Sequence, residues 1–330
     1  MKKLINAPEN ILQEMVGGLV KAHGDLVKNI ADLPVIVRKN KADKVCLVSG
    51  GGSGHEPSHA GFVGEGMLDA AVAGEIFTSP SADKVYEAIK AVDSGKGVLL
   101  IIKNYSGDVM NFEMAAEMAE MEGIKVAKVI VNDDIAVENS TYTVGRRGIA
   151  GTVLVHKILG AAAEKGYSLE ELVALGNKLI PNIKTMGMAL KPATLLSTGK
   201  LSFDISDDEV EIGLGIHGEP GTHKEKINTA DYFAELLLTK ILDEHTLSAN
   251  SEVAVLVNGL GDTTLIELYI LNNKIQQMLA AKNIQVVDTL VGNYMTSLDM
   301  GGFSITLLKL DQETKDFLKA KANTIAFKRF

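Results

Sequence analysis

Val98-Leu99-Leu100-Ile101-Ile102-Lys103-Asn104-Tyr105-Ser106-Gly107-Asp108 is the stretch whose reading decides the fold. An unbroken apolar run of this length, rich in branched side chains, predicts a strand covered on both faces. The polar, glycine-bearing turn that ends it leads into a helix expected near Met110 to Met121. The same strand, turn and helix sequence recurs on both sides. Upstream, Lys44 to Val48 predicts a buried strand that breaks into the loop Ser49-Gly50-Gly51-Gly52-Ser53-Gly54-His55. Ala70 to Ala73 leads to Thr78-Ser79-Pro80-Ser81, a cap with proline in the first helical turn, and a helix through Val92. Downstream, Val126 to Val131 ends in Asn132-Asp133-Asp134, and two helices follow, the second opened by a capping box of Ser168 and Glu171. A helix with Ile11, Leu12, Met15, Val16, Leu19 and Val20 on one stripe precedes them all. Alternation of this kind is α/β layering.

A proline and an asparagine interrupt the helical pattern around Ile180 to Lys184, and strands dominate beyond it. They are expected at Thr185 to Leu190, Glu209 to Ile216, Val253 to Val257, Ile284 to Val291 and Phe303 to Lys309, with a helix near Ala230 to Leu242 and a long one that follows the loop Asn258 to Asp262 and runs to about Ala281. The expectation is two α/β domains, residues 1–182 and 183–330, each a mixed or mostly parallel sheet flanked by helices. The 330 residues are 46% hydrophobic, enough to bury a core in each domain without staples. A net charge of -9, with no basic block beyond Arg38, Lys39, Lys41 and Lys44, argues against nucleic acid and anionic membrane as partners. The single cysteine, Cys46, forms no intrachain disulfide, and no apolar run reaches membrane-spanning length, so a cytoplasmic location is expected.

In open α/β sheets, ligands sit where strands end at their carboxyl side. Three polar loops occupy such places: Ser49 to His55, Thr78 to Ser81 and Lys103 to Asp108. The glycine loop lacks the third glycine of a dinucleotide fold, the Gly-Lys-Ser/Thr of a P-loop, and the closing glycine of a nucleophile elbow at Ser53. His55-Glu56-Pro57-Ser58-His59 matches the letters of a zinc-protease helix, but Pro57 makes a helical metal platform there a coincidence, and no metal is expected. Lys103 either caps the edge of the core by snorkelling or serves a site, and Asp108 is either a helix N-cap or a functional carboxylate. His217, boxed by Gly215, Gly218, Pro220 and Gly221, is a histidine satisfied in a turn or a nucleophile or ligand contact. Asn258 to Thr264 and Thr296 to Gly302 are assigned to structure or subunit contact.

Taken together, Ser49-Gly-Gly-Gly-Ser-Gly-His-Glu-Pro57, Gly74-Glu-Ile-Phe-Thr-Ser79, Leu100-Ile-Ile-Lys-Asn-Tyr-Ser-Gly-Asp108, Gly145-Arg-Arg-Gly148, Gly215-Ile-His-Gly-Glu-Pro-Gly221 and Thr296-Ser-Leu-Asp-Met300 closely resemble one family over essentially the whole chain. It is the family of substrate-binding K subunits of bacterial dihydroxyacetone kinases that draw phosphate from the phosphotransferase system. The resemblance implies that His217 holds the ketone as a covalent hemiaminal and that Gly52, Ser53, Gly54, His55, Lys103 and Asp108 are substrate contacts. It further implies that His55 assists proton transfer and that Asp108 is the general base. By the same resemblance no cofactor is bound by this chain: ADP or ATP and magnesium lie on a separate L subunit, an M-type phosphotransferase-system protein restores the nucleotide, and the K subunit is a homodimer. The alternative is a ligand-sensing paralogue that coactivates a transcription regulator, against which the intact His55 and Asp108 speak.

Overall fold

The computed structural model describes residues 2–138 and 144–330. Helix α1 (Ile11–Ala22) precedes a hairpin of β1 (Val27–Asn29) and β2 (Val35–Arg38), followed by β3 (Cys46–Ser53), the short β4 (Gly64–Glu65) and β5 (Ala70–Ile76). Then come α2 (Ala82–Val92), β6 (Val98–Lys103), α3 (Ser106–Met121), β7 (Val126–Val131), α4 (Thr152–Glu164) and α5 (Leu169–Leu179). The remainder runs β8 (Ile183–Lys191), β9 (Glu209–Ile212), β10 (His223–Lys226), α6 (Ala230–Asp243), β11 (Glu252–Gly259), α7 (Leu265–Ala281), β12 (Gln285–Gly292), β13 (Gly301–Lys309), α8 (Gln312–Lys319), β14 (Ala322–Thr324) and β15 (Lys328–Arg329).

The first sheet has the order β1-β2-β5-β3-β6-β7, with β5, β3, β6 and β7 parallel and the β1–β2 hairpin added antiparallel at one edge. Every residue of β3 and β6 is buried, as central parallel strands covered by helices must be. Side chains alternate between two cores. Leu99 and Ile101 join Leu47 and Ala71 beside α1, α4 and α5, whereas Val98, Leu100 and Ile102 join Cys46, Val48 and Val72 beside α2 and α3. The second sheet, β10-β9-β8-β13-β11-β12, is also mixed, but β11–β12 is its parallel pair and its other pairings are antiparallel. Helices α6 and α7 cover one face of it.

Helix α4 explains how the halves join. Thr152 through Ala163 are all buried, the signature of a helix enclosed on every side rather than lying on a surface. Val153, Leu154, Val155, Ile158 and Leu159 share one core with Leu99 of the first sheet and with Ala254 and Leu308 of the second. Each such side chain contributes roughly 1.5–3 kcal/mol relative to exposure. The chain end also returns to the first half: α8 packs on α4, β14 pairs with β4, and Lys157 Nζ donates to the Phe317 carbonyl (2.6 Å).

Three expectations about local structure are corrected. The glycine run is not a loop after β3 but its second half, since Ser49 to Ser53 keep their ladder with β5. Glycine is required there because a Cβ on Gly52 would lie 2.5 Å from Thr78 N and 2.7 Å from Phe77 Cα. Helix α3 starts at Ser106 rather than near Met110, with Tyr105 at the cap position, so Asp108 is inside the first turn and is not the N-cap. The strand expected over Glu209 to Ile216 stops at Ile212.

Candidate functional site

Because β5, β3 and β6 are neighbours and parallel, the loops that follow them open at one edge of the first sheet. The turn between β9 and β10 faces them from the second sheet. A cleft of about 650 Å³ lies between, lined by Gly52, Phe77, Thr78, Ser79, Tyr105, Asp108, Asn111, His217 and Glu219 among others, with Leu195, Ser197 and Ser202 from the segment after β8. Gly52, Asp108 and His217 thus reach the cleft itself. Ser53 turns away from it, its hydroxyl donating to Gly74 O (2.7 Å), while the Gly54 amide donates to both Glu56 carboxylate oxygens (3.2 and 3.1 Å).

Lys103 does not snorkel. It ends the central strand β6, and its side chain is fully enclosed, with Nζ donating to Gly50 O (3.2 Å) and to Asp108 Oδ2 (3.1 Å). A buried ammonium needs a partner of opposite charge, and the first turn of α3 supplies it while keeping the Asp108 carboxylate at the wall of the cleft.

His55 is wholly buried, its Nδ1 2.7 Å from the Thr296 carbonyl. A carbonyl oxygen only accepts, so Nδ1 carries the proton and the Nε2 lone pair, which has no protein partner, is free. Burial, followed by the neighbouring His217 and Lys103, drives the His55 imidazole well below its ordinary range, which keeps it neutral. Its ring centroid is 4.8 Å from that of His217, and Phe77 and Tyr105 complete the aromatic surround of His217 at 5.3 and 4.6 Å. The Tyr105 hydroxyl is buried without a partner, and burial pushes it well above the usual phenol range.

His217 sits in a two-residue clasp: its backbone N–H donates to Glu219 Oε2 (2.9 Å), and its Nδ1 lies 3.1 Å from Glu219 Oε1. Behind Glu219 stands Arg147, fully buried, with Nε donating to Asp134 Oδ2 (2.7 Å) and Nη2 to Gly213 O (2.8 Å). No role follows for Glu219 or Arg147 from sequence alone, although both lie within the quoted motifs. The available signal was a carboxylate two residues from a histidine inside a glycine-boxed turn.

The segment Thr296 to Leu298, assigned to structure from the sequence, is structural in the service of the site. Thr296 N donates to His55 O (3.2 Å), Leu298 N to Gly54 O (2.7 Å), and Ser297 Oγ to Ile216 O (2.6 Å). Asn258 holds the turn before it, accepting from Tyr294 N and Met295 N (2.9 Å each). The other histidine of the His-Glu-x-x-His match, His59, instead contacts His156 (Nδ1 to Nε2, 2.9 Å). Among the described residues no group of three or more His, Cys, Asp or Glu side chains is placed to hold a metal ion, and no described helix is long and apolar enough to cross a membrane.

Residues 17–326 match the Dak1 domain family. The chain is 56% identical over 329 residues, 99% of this chain and 100% of the relative, to the "PTS-dependent dihydroxyacetone kinase 1, dihydroxyacetone-binding subunit DhaK" of Listeria innocua. Among solved structures it is similar to the "dihydroxyacetone kinase operon co-activator Dha-DhaQ" (TM-score 0.91, 39% identity, 96% of this chain and 98% of that one). It is also similar to the dihydroxyacetone kinase of C. freundii in complex with AMP-PNP and Mg2+ (TM-score 0.89, 34% identity), covering 99% of this chain and 61% of that one.

Proposed function

We propose, from the premise that the chain belongs to the Dak1 domain family, that it is the dihydroxyacetone-binding subunit of a phosphotransferase-system-dependent dihydroxyacetone kinase. The observation that carries the reading is the meeting, in one cleft, of the His217 imidazole and the Lys103-held carboxylate of Asp108, with the buried His55 ring packed behind, 4.8 Å from that of His217 and unpartnered at Nε2. A small hydroxylated ketone offers little apolar surface, so a reversible covalent bond supplies affinity and selects against an alcohol that has no carbonyl. A ring nitrogen of His217 adds to the carbonyl carbon. The C=O π pair moves to oxygen, which takes up one proton as the imidazole gives one up, leaving a neutral hemiaminal. Neutral His55 can accept a hydrogen bond at Nε2 from the hydroxyl so formed or from a hydroxyl of the triose. Asp108 accepts the proton of the terminal hydroxyl that attacks phosphorus, and Lys103 holds that carboxylate in place.

The phosphoryl donor, a nucleotide with magnesium, belongs in this reading to a separate L subunit that is recharged through an M-type protein. The reading places this chain in the cytoplasm and divides it at residue 182, so that the ketone is held between one unit carrying the glycine run and another carrying His217. It includes a homodimer, for which the exposed row Leu265, Ile266, Tyr269 and Ile270 on α7, beside the edge strand β12, is the candidate surface. Reconstitution tests the proposal. Dihydroxyacetone phosphate should form when the nucleotide-holding subunit and its phosphoryl donor are added, and not from this chain with ATP and magnesium alone. Product without a second protein would refute the half-enzyme reading, and normal ketone binding with no turnover beside functional partners would favour the coactivator class.

A further inference from the structure

We propose that Glu219, backed by Arg147 and Asp134, is the positioning residue of the site, fixing the His217 proton on Nδ1 so that Nε2 faces the ketone. The inference rests on covalent ketone binding at His217 and says what makes that histidine a nucleophile. Both oxygens of the Glu219 carboxylate are committed to one residue, Oε2 to the His217 amide (2.9 Å) and Oε1 to its Nδ1 (3.1 Å), and the side chain is 1% exposed, so water does not compete. Burial by itself raises the Glu219 carboxyl. The hydrogen bond to His217, then the charges of His217 and Arg147, override that and bring it to about 2. Arg147 is held by Asp134 and Gly213 O, while its Nη1 has no hydrogen-bond partner. That atom and the carboxylate share the space above Gly215: a Cβ there would lie 2.0 Å from Glu219 Oε2 and 2.6 Å from Arg147 Nη1. Glycine at 215 lets the charged groups approach.

An ionised carboxylate can only accept hydrogen bonds. The proton of a neutral His217 ring must then sit on Nδ1, and Nε2 keeps its lone pair. As Nε2 bonds to the carbonyl carbon and the C=O π pair moves to oxygen, the ring becomes cationic and Glu219, remaining ionised, opposes that charge; the oxygen takes one proton from solvent and the ring returns its Nδ1 proton to solvent, so the sum is the neutral hemiaminal. The substitution Glu219→Gln reverses the arrangement. The His217 amide then requires the single oxygen of the new carboxamide, which turns the NH2 group toward Nδ1. Nδ1 must now accept, and the ring proton moves to Nε2.

The experiment is long-range 1H–15N correlation on the full-length protein, with His217 assigned by comparison with His217→Ala, together with NMR of dihydroxyacetone labelled with 13C at its carbonyl. The expected result is the Nδ1–H tautomer in the wild type and Nε2–H in Glu219→Gln, with adduct formation reduced roughly 10²- to 10⁴-fold, as when a histidine loses its orienting carboxylate. Glu219→Asp, which keeps the charge, should recover part of the adduct. Nε2–H in the wild type overturns the proposal even if Glu219→Gln fails to fold, and so does an unchanged tautomer and adduct level in Glu219→Gln. A wild type with the Nδ1–H tautomer that forms no adduct overturns the covalent reading of function and leaves the positioning role supported.

Discussion

Asp108→Asn separates the chemistry of the cleft from its architecture. The substitution keeps the size of the side chain and one acceptor oxygen and removes the charge. In the native protein Asp108 Oδ2 accepts from Lys103 Nζ at 3.1 Å, and the Lys103 side chain is 0% exposed. Stripping a buried ion of its partner typically costs 3–5 kcal/mol. The amide oxygen of Asn can still accept from Nζ, so we expect about 2–3 kcal/mol of lost stability, read as a lower urea midpoint. Loss of the general base should cut turnover by about 10²- to 10⁴-fold, equivalent to roughly 3–5 kcal/mol of barrier. Ketone binding measured by calorimetry should survive, because in the proposed function the anchor is His217 and not Asp108. The double variant Lys103→Met/Asp108→Asn removes both charges and should regain most of the stability without regaining turnover. Normal turnover of Asp108→Asn with the partner subunits would remove Asp108 as the base. A stability change under about 0.5 kcal/mol, with the double variant no better than the single, would show that the buried pair is not felt.

Replacing His217 by Ala should abolish the hemiaminal while leaving the fold intact, so the labelled carbonyl carbon should remain a free ketone in solution. A persisting adduct would place the anchor elsewhere. Gly52→Ala forces a methyl to within 2.5 Å of Thr78 N, and we expect more than about 2 kcal/mol of destabilisation by urea unfolding, with an unchanged midpoint as the refuting result. The protein should also be acid-labile. Burial lowers His156 to about 3 and His245 to about 4, and it drives His55 and His59 well below their ordinary range. The unfolded chain therefore binds more protons below about pH 6.5. Stability present above that pH should fall as pH drops toward about 4, on the order of 1 kcal/mol per pH unit for each such group. Equal unfolding midpoints at about pH 7 and about pH 5 would contradict this.

The central strands could be read from sequence because burial on both faces leaves an unbroken apolar run, as in Val98 to Ile102. The convergence of the glycine run, the Thr78 turn and Asp108 on one edge is a matter of strand order, which no local pattern carries. The hairpin β1–β2, the strands β4, β10, β14 and β15, and helix α8 have no counterpart in the sequence reading. Most are short, and their pairing or packing is decided by distant partners, as when β14 meets β4. Lys103 was open to a snorkelling reading because nothing in the letters reveals that strands flank β6 on both sides. Asp108 reads as a cap from sequence because the cap position of α3 is taken by Tyr105, an unusual residue there. His55 and Thr296 are separated by 241 residues, so the hydrogen bond that fixes one tautomer of the site has no sequence signature.

The three residues Thr296 to Leu298 touch the backbone beside both histidines, Leu298 at Gly54 and Ser297 at Ile216. One short peptide thus ties the end of the strand that leads to His55 to the turn that carries His217, across the two sheets. Ser297, buried and outside the lining of the cleft, thereby takes part in holding the residue before His217 in place.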